Sequence, residues 1–238
     1  MRKYDVVYIL SANVGAGELR YSLRSIEKNM THGKVWFYCG KPDGIDPDVY
    51  VPQIQTGSTK WARVRSSLIE ICKNEKVSKK FWLFNDDFYV VAPMDSTTPL
   101  HRGLIMDHVL DIEERHNSKP SSYSRELRKC EDQLRQAGLT TLDYALHVPM
   151  LVDREQMLET LEMFPRCPMF RSLYGNYAKI GGQLHKDVKT MDPNKEIDTD
   201  LGFFSTSNRA FGGKVLEQLE TLFPDPCKYE AEYGESVC

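Results

Sequence analysis

The chain has 238 residues, 41% of them hydrophobic, and a formal net charge of −3. This length suits one large domain, and the interspersed charges do not demand a nucleic acid or an anionic membrane as partner. No apolar run reaches the ~18 residues that span a bilayer, and the N-terminus enters a strand without a signal-peptide pattern. The cysteines show no CxxC spacing, so we expect reduced thiols in a cytoplasmic protein. They are Cys39, Cys72, Cys130, Cys167, Cys227 and Cys238.

The opening segment predicts a β-loop-α-β unit. Its elements are a strand over Asp5–Leu10, a small-residue loop over 11–17, a helix over Glu18–Asn29 and a strand over Val35–Cys39. Leu19, Leu23 and Ile26 fall on one face of that helix. The arrangement is Rossmann-like, and the loop after the first strand is where such sheets bind ligands. The loop lacks GxGxxG, so the dinucleotide-binding fingerprint is absent.

The following segments predict further helices and strands in one continuous α/β domain, 1–238. The expected elements are a loop with one short strand over 41–58, a helix over Trp61–Lys73, two helices within about 103–137 around an Asn117–Ser122 turn, a helix over Asp153–Met163, a strand over Leu201–Phe204 and a helix over Asn208–Leu222. We expect the polar insertion at 103–137 to be solvated, with a functional charge patch as the alternative. Asp153 is the expected N-cap and Pro165 the helix stop.

The most informative motif lies between two apolar strands. The run Phe81–Phe84 leads into Asn85, Asp86 and Asp87, and a second apolar segment follows at once. Carboxylates at the end of a buried strand are costly unless their charge is offset, commonly by a hard cation such as Mg²⁺ or Mn²⁺. The alternative is an acidic β-turn between two hairpin strands, because Asn-Asp is favourable in turns.

Four segments, in order along the chain, resemble the Stealth family. They are Glu18–Lys28; Phe84–Phe88 with Pro93-Met94; His147–Pro149 with Phe164-Pro165 and Phe170–Ser172; and Phe203–Asn208 with Phe223–Glu230. That family contains bacterial capsular polysaccharide phosphotransferases and the catalytic part of animal N-acetylglucosamine-1-phosphotransferase. The chain is similar to a minimal version of it.

The resemblance implies a GT-A-like (Rossmann-like) mixed sheet flanked by helices, with a helical insertion. It also implies metal-dependent transfer of a sugar-1-phosphate from a nucleotide-sugar, of the UDP-hexose type, to a hydroxyl of a glycan acceptor. One alternative is a GT-A glycosyltransferase that moves the sugar itself and releases nucleoside diphosphate. Another is a non-catalytic protein that binds carbohydrate or nucleotide. The acceptor itself is open and includes a glycolipid or a modified nucleobase, so nucleic acid stays a candidate acceptor.

The resemblance further implies roles for individual residues. Asp86 and Asp87 would hold Mg²⁺ or Mn²⁺, and Asp87 would take part in catalysis. Histidine titrates near neutral pH, so His147 could be the general base, with Glu18 orienting the acceptor, a metal-bound water or an arginine. The expected donor-binding residues are Arg24, Asn85, Arg171 and Asn208. Arg171 is also an expected catalytic residue, because its guanidinium would clamp phosphate oxygens.

Each of these residues also has a purely structural explanation from the sequence alone. His147 could be a turn histidine, Arg171 a partner in an ion pair, and Glu18 a first-turn carboxylate that complements the helix dipole. Arg24 could form a surface ion pair. The remaining histidines show no spacing that is typical of a zinc site.

Overall fold

The structure, a computed structural model, describes residues 3–117 and 119–231. The expectations that fall on Met1, Arg2, Ser118 and Cys238 lie outside these residues. The described strands are β1 (Asp5–Leu10), β2 (Val35–Cys39), β3 (Val49–Val51), β4 (Lys80–Phe84), β5 (Phe88–Val90), β6 (Leu100–His101), β7 (Met150–Asp153), β8 (Gln183–Leu184), β9 (Lys189–Thr190) and β10 (Phe203–Thr206). The described helices are α1 (Ala16–Asn29), α2 (Lys60–Lys73), α3 (Ile105–Arg115), α4 (Ser122–Gln136), α5 (Arg154–Met163), α6 (Phe170–Tyr177) and α7 (Gly213–Leu222).

The main sheet has five strands in the order β3-β2-β1-β4-β7. Strands β1, β2, β3 and β4 run parallel to one another, and β7 runs antiparallel to β4. The chain builds outward from β1 on one side and then returns to add β4 on the other. The carboxyl ends of β1 and β4 therefore flank a topological switch point, where open α/β sheets bind ligands.

Helices cover both faces of this sheet, which confirms the expected α/β class with a mixed sheet. Alternate residues of β1 point to opposite faces. Val6, Tyr8 and Leu10 pack against the predicted apolar face of α1. Val7 packs in a second core with residues of α2 and α5. Since both faces are buried, β1 and β2 are continuously apolar.

A second, smaller sheet carries the strand that follows the Asn-Asp-Asp motif. It has three strands in the order β5-β10-β9, with β5 antiparallel and β9 parallel to β10. Strands β4 and β5 consequently belong to different sheets and do not pair. The motif does form a turn, in which Phe88 N donates to Asn85 O at 3.3 Å, but the hairpin alternative is wrong, because the motif crosses from one sheet to the other.

Helix α1 contacts β5 through hydroxyl and amide side chains on its inner face. Ser22 Oγ donates to Phe88 O at 2.6 Å, and Val90 N donates to Ser25 Oγ at 3.0 Å. Asn29 Nδ2 donates to Val90 O at 2.7 Å. These side chains supply partners to backbone groups of β5 that would otherwise be buried without them. The first turn of α1 is thereby held beside the carboxylate motif.

The polar insertion forms two helices, α3 and α4, as expected. Their outer faces are charged, but their inner faces bury Val109, Ile112, Leu127 and Leu134 in a common core with residues of α6. Among the described helices, none has the length and apolar character to cross a membrane.

Two helix boundaries show where the sequence patterns succeed and where they fail. Asp153 caps α5 as expected, accepting from Glu155 N at 3.1 Å and from Gln156 N at 3.4 Å. The last helix begins at Gly213, not at Asn208, and residues 208–210 form a turn. Gly213 has a φ of +50°, a left-handed value that delays the regular helix and favours glycine.

Candidate active site

A carboxylate cluster lies at the switch point of the main sheet. Asp86 and Asp87 follow β4 after Asn85, and Glu18 lies in the first turn of α1, which follows β1 after a short loop. Two segments from neighbouring parallel strands thus place acidic side chains at the same edge. We refer to Glu18, Asp86 and Asp87 as the carboxylate cluster.

The small sheet brings further polar groups to this cluster. Lys189 Nζ, from β9, donates to Asp87 Oδ2 at 2.6 Å, whereas Asp87 Oδ1 is buried without a hydrogen-bond partner. Thr206 Oγ1, at the end of β10, donates to Glu18 Oε1 at 2.6 Å and lies 2.9 Å from Tyr89 Oη. One buried carboxylate oxygen is therefore left with unused acceptor capacity.

Crowding of negative charge shifts the titration of the cluster. Burial, together with the charges of Asp87 and Asp86, raises the pKa of Glu18, despite the hydrogen bond from Thr206. Burial and the neighbouring Asp87 likewise raise the pKa of Asp86, which Lys189 and Lys60 only partly counteract. The cluster has more negative charge than its protein partners balance, and a cation would relieve this repulsion.

The donor set fits a divalent cation that shares its ligands with a substrate. Within residues 3–117 and 119–231, no group of three or more His, Cys, Asp or Glu side chains is arranged to hold a metal by itself. Mg²⁺ is commonly held by one or two carboxylates together with substrate phosphates and water. Asp86 and the unpartnered Oδ1 of Asp87 supply hard oxygen ligands of that kind.

A cavity of about 380 Å³ opens beside the cluster. Asn85, His147, Arg171 and Lys189 all line it, and Lys189 is the residue that also contacts Asp87. Its walls are largely apolar or aromatic with a few polar groups, which is the usual composition of a small-molecule site. The structure thus brings His147, Arg171 and Asn85 together at one cavity next to Asp87.

His147 is held by a carboxylate that the sequence did not indicate. Its Nδ1 lies 3.0 and 3.1 Å from the two carboxylate oxygens of Asp187, and its backbone N donates to the same group. Burial opposes the charged form of Asp187, but His147 and then Arg102 outweigh it and lower the pKa of Asp187 to about 2. An ionised partner favours the proton on Nδ1, so Nε2 is the proton acceptor in the neutral tautomer of His147.

Arg171 has a different environment from the one expected of a phosphate clamp. Its Nη1 donates to Leu146 O at 2.9 Å and to Val148 O at 2.7 Å, and its Nη2 donates to Leu83 O at 3.3 Å. Burial lowers its pKa to about 10. The guanidinium therefore ties the loop that carries His147 to the end of β4, and we treat Arg171 as a positioning residue.

The other two expected donor-binding residues lie away from this cavity. Arg24 forms a two-pronged ion pair with Glu230 and also donates to Phe223 O and Pro224 O. Asn208 is exposed in the turn after β10. We leave both residues out of the site, because Arg24 is occupied by the C-terminal segment and Asn208 does not line the cavity.

Lys189, Asp187 and Thr206 belong to the site but were not predicted. Each reaches its partner across a long stretch of chain: Lys189 is 102 residues from Asp87, and Asp187 is 40 residues from His147. No local spacing marks such pairs. Asp187 and Lys189 lie beside and in the short strand β9, where no strand was predicted, whereas Thr206 ends β10, which overlaps the predicted strand over Leu201–Phe204.

No protein-family model matches this chain, and no curated protein matches it either. The resemblance to the Stealth family therefore rests on the four sequence motifs alone. All four motifs supply residues that the structure places at the cavity or in the carboxylate cluster beside it, namely Glu18, Asn85 to Asp87, His147 with Arg171, and Thr206, which donates to Glu18.

Proposed function

We propose that this protein is a metal-dependent transferase with a GT-A-like fold. It would move a sugar-1-phosphate from a nucleotide-sugar of the UDP-hexose type to a hydroxyl of a glycan acceptor. The observation that carries the proposal is the carboxylate cluster at the switch point, with an unpartnered oxygen on Asp87, beside a cavity that holds a His–Asp pair.

Asp86 and Asp87 are the residues that would hold Mg²⁺ or Mn²⁺. A bound cation would neutralise charge on the donor diphosphate and orient it. Lys189 lines the cavity and forms an ion pair with Asp87. Its ammonium group can also contact phosphate oxygens. Glu18 is fixed by Thr206 at the edge of the cluster and would orient a water or the acceptor.

His147 is the proposed general base. Its Nε2 takes the proton of the acceptor hydroxyl while that oxygen bonds to the sugar-proximal phosphorus. The bond from this phosphorus to the bridging oxygen breaks, and UMP leaves with the electron pair. Asp187 holds the Nδ1 proton and stabilises the imidazolium that forms, and Arg171 keeps the His147 loop in place. Most of the rate enhancement in such reactions comes from positioning and charge stabilisation.

The proposed compartment is the cytoplasm. The described cysteines, Cys39, Cys72, Cys130, Cys167 and Cys227, are free and buried. Reduced thiols are typical of cytoplasmic proteins.

The test is incubation of the purified chain with Mn²⁺ and a panel of UDP-sugars, with water and simple glycans as acceptors. Release of UMP together with a sugar phosphate or phosphodiester supports the proposal. Release of UDP would instead show transfer of the sugar itself and overturn the phosphotransfer step. Absence of Mn²⁺-dependent UDP-sugar binding would overturn the transferase assignment altogether.

Asp87→Asn is the matched negative variant for this assay, since it keeps the shape of the side chain and removes its charge. Asp46→Asn is the control. Asp46 is 68% exposed and pairs with Lys41, away from the cavity, so its substitution leaves product release unchanged.

A further inference from the structure

The histidine of a second His–Asp pair lines the same cavity, on the side formed by the helical insertion. His108, from α3, has its Nδ1 2.6 Å from Asp143 Oδ2. The His108 side chain is 6% exposed and the Asp143 side chain is fully buried. The proposed reaction does not use this pair, although His108 borders the cavity.

The pair is rigidly fixed. Asp143 Oδ1 accepts from Ser172 Oγ at 2.9 Å and from Ala145 N at 2.8 Å, which leaves Oδ2 directed at His108. A carboxylate is only an acceptor when ionised, so Nδ1 of His108 has to carry the proton. Its Nε2 is then the other hydrogen-bonding atom of the ring, and it is an acceptor for a ligand in the cavity in the neutral tautomer.

Tyr123, from α4, borders the cavity next to His108. The two rings meet edge to face, with their centroids 5.7 Å apart. Burial, reinforced by the charge of Asp143, raises the pKa of Tyr123 well above its ordinary value. The phenol therefore keeps its proton at neutral pH and can donate a hydrogen bond beside an acceptor nitrogen.

The cavity has an open end and a closed end. Trp61 is 41% exposed and Met191 is 67% exposed, and both lie at its rim. His108 and Ser172 are buried, and α3, α4 and α6 enclose that end. Lys189, which contacts Asp87, places the carboxylate cluster beside the cavity. A nucleotide-sugar whose phosphates lie at the cluster can direct its nucleobase to the open end and its sugar inward.

We propose that His108 and Tyr123 form the binding site for the sugar of the donor, at the closed end of the cavity. This inference rests on the proposed function. A sugar hydroxyl both donates and accepts, which suits an acceptor nitrogen next to a phenol donor. The acceptor glycan is excluded from this end because a longer chain needs an open path to solvent. A fixed pair of polar groups also selects among sugars, since a missing hydroxyl leaves a buried group unpaired.

The test is calorimetric titration of the whole chain with UDP and with UDP-glucose, UDP-galactose and UDP-N-acetylglucosamine in the presence of Mn²⁺. Tyr123→Phe removes one oxygen, so the fold should be kept. We expect it to weaken binding of the preferred UDP-sugar by about 5- to 10-fold and to leave UDP binding unchanged, as one lost hydrogen bond would. His108→Gln should show the same selective loss and reduce the preference among the three sugars.

Val109→Ala is the matched control. Val109 is the next residue of α3, fully buried in the helical core and outside the cavity lining. Val109→Ala should lower the melting temperature, and it should not change the affinity for UDP-sugar relative to the affinity for UDP. Equal losses for UDP and UDP-sugars in Tyr123→Phe and His108→Gln would overturn the inference and leave a structural role for the pair.

Two further results would also overturn it, and they have different meanings. If the variants raise the KM for the acceptor while donor affinity is unchanged, the closed end binds the acceptor, and the proposed function survives. If wild-type protein binds neither UDP nor any UDP-sugar with Mn²⁺, the proposed function fails and the inference fails with it.

Discussion

Helix α1 carries two charged environments that differ in how completely their charges are balanced. Two turns after Glu18, Arg24 donates to both carboxylate oxygens of Glu230, at 2.6 and 2.8 Å, and Arg20 lies 3.0 Å from the same carboxylate. Glu230 is held in its charged form: burial opposes it, but Arg24 prevails and lowers the pKa of Glu230. In the carboxylate cluster, by contrast, burial and neighbouring carboxylates disfavour the charged forms and raise the pKa values of Glu18 and Asp86.

The difference indicates which charged residues stabilise the fold and which are available to bind a ligand. Arg24 and Glu230 complete each other and fasten α1 to a segment 206 residues away in sequence. The cluster leaves Asp87 Oδ1 buried and unpartnered. An uncompensated buried charge lowers stability, and proteins keep such strain mainly at functional sites. The Arg24 region is therefore structural, and the cluster is the better candidate for chemistry.

The largest effect should come from removing the charge of Asp87. We expect Asp87→Asn to abolish Mn²⁺-dependent UDP-sugar binding and to lower turnover by at least about 10³-fold, as loss of several kcal/mol of electrostatic stabilisation would. Calorimetry with and without EDTA checks the binding. Unchanged donor affinity in the variant would remove the distinction between the two environments.

His147→Gln should lower turnover by about 10²–10⁴-fold, which is the typical contribution of a general base. The affinity for UDP-sugar should be nearly unchanged, because the base acts on the acceptor. Steady-state kinetics combined with calorimetry separate the two quantities. A variant with normal turnover would show that His147 is only a turn histidine.

Asp187→Asn tests the partner of His147 and should reduce turnover less than loss of the ring itself. With a pKa of about 2, Asp187 contributes stability that is present above its ordinary pKa of 3.8 and is lost as the pH falls toward about 2. Assays between pH 6 and 8 therefore examine an ionised Asp187. A change in the pH profile of turnover would indicate that Asp187 positions His147, because a loss of stability alone would not change that profile.

Arg24→Met should affect the fold and not the chemistry. Glu230 is 8% exposed, so the variant leaves a buried carboxylate without its main partner. We expect a loss of about 3 kcal/mol in the free energy of unfolding, with turnover per folded molecule retained. Denaturant titration measures the first quantity and kinetics the second. Loss of donor binding at full stability would return Arg24 to the donor site.

Asp86→Asn should have the smallest effect on stability, and in the opposite direction. An acid with a raised pKa loses stability as the pH rises from its ordinary value through the raised one, because the folded state holds the proton longer. The variant should therefore melt about 1–3 °C higher than wild type near pH 7 and equally at pH 3. Mn²⁺ should raise the melting temperature of wild type alone. A variant that melts lower at pH 7 would contradict the idea of unbalanced charge.

Periodicity predicted the elements that are built from local patterns. The continuous apolar run of Asp5–Leu10 became a strand buried on both faces, and Leu19, Leu23 and Ile26 became the buried face of α1. Asp153 caps its helix as expected. The pattern failed at Asn208, where glycines delay the helix, and it did not predict β7 or α6.

The sequence by itself determined strands β1, β2 and β4 of the main sheet, helices α1, α2 and α5 that flank it, and the position of the Asn-Asp-Asp motif at the end of a strand, because these depend on residues that are close in the chain. Only the tertiary structure decided that β4 and β5 lie in different sheets, and that Lys189 and Asp187 reach Asp87 and His147. It also separated Arg24 from the cavity and paired His108 with Asp143. Such pairings depend on which elements become neighbours in space, and side chains that are distant in sequence carry no local period that records their partner.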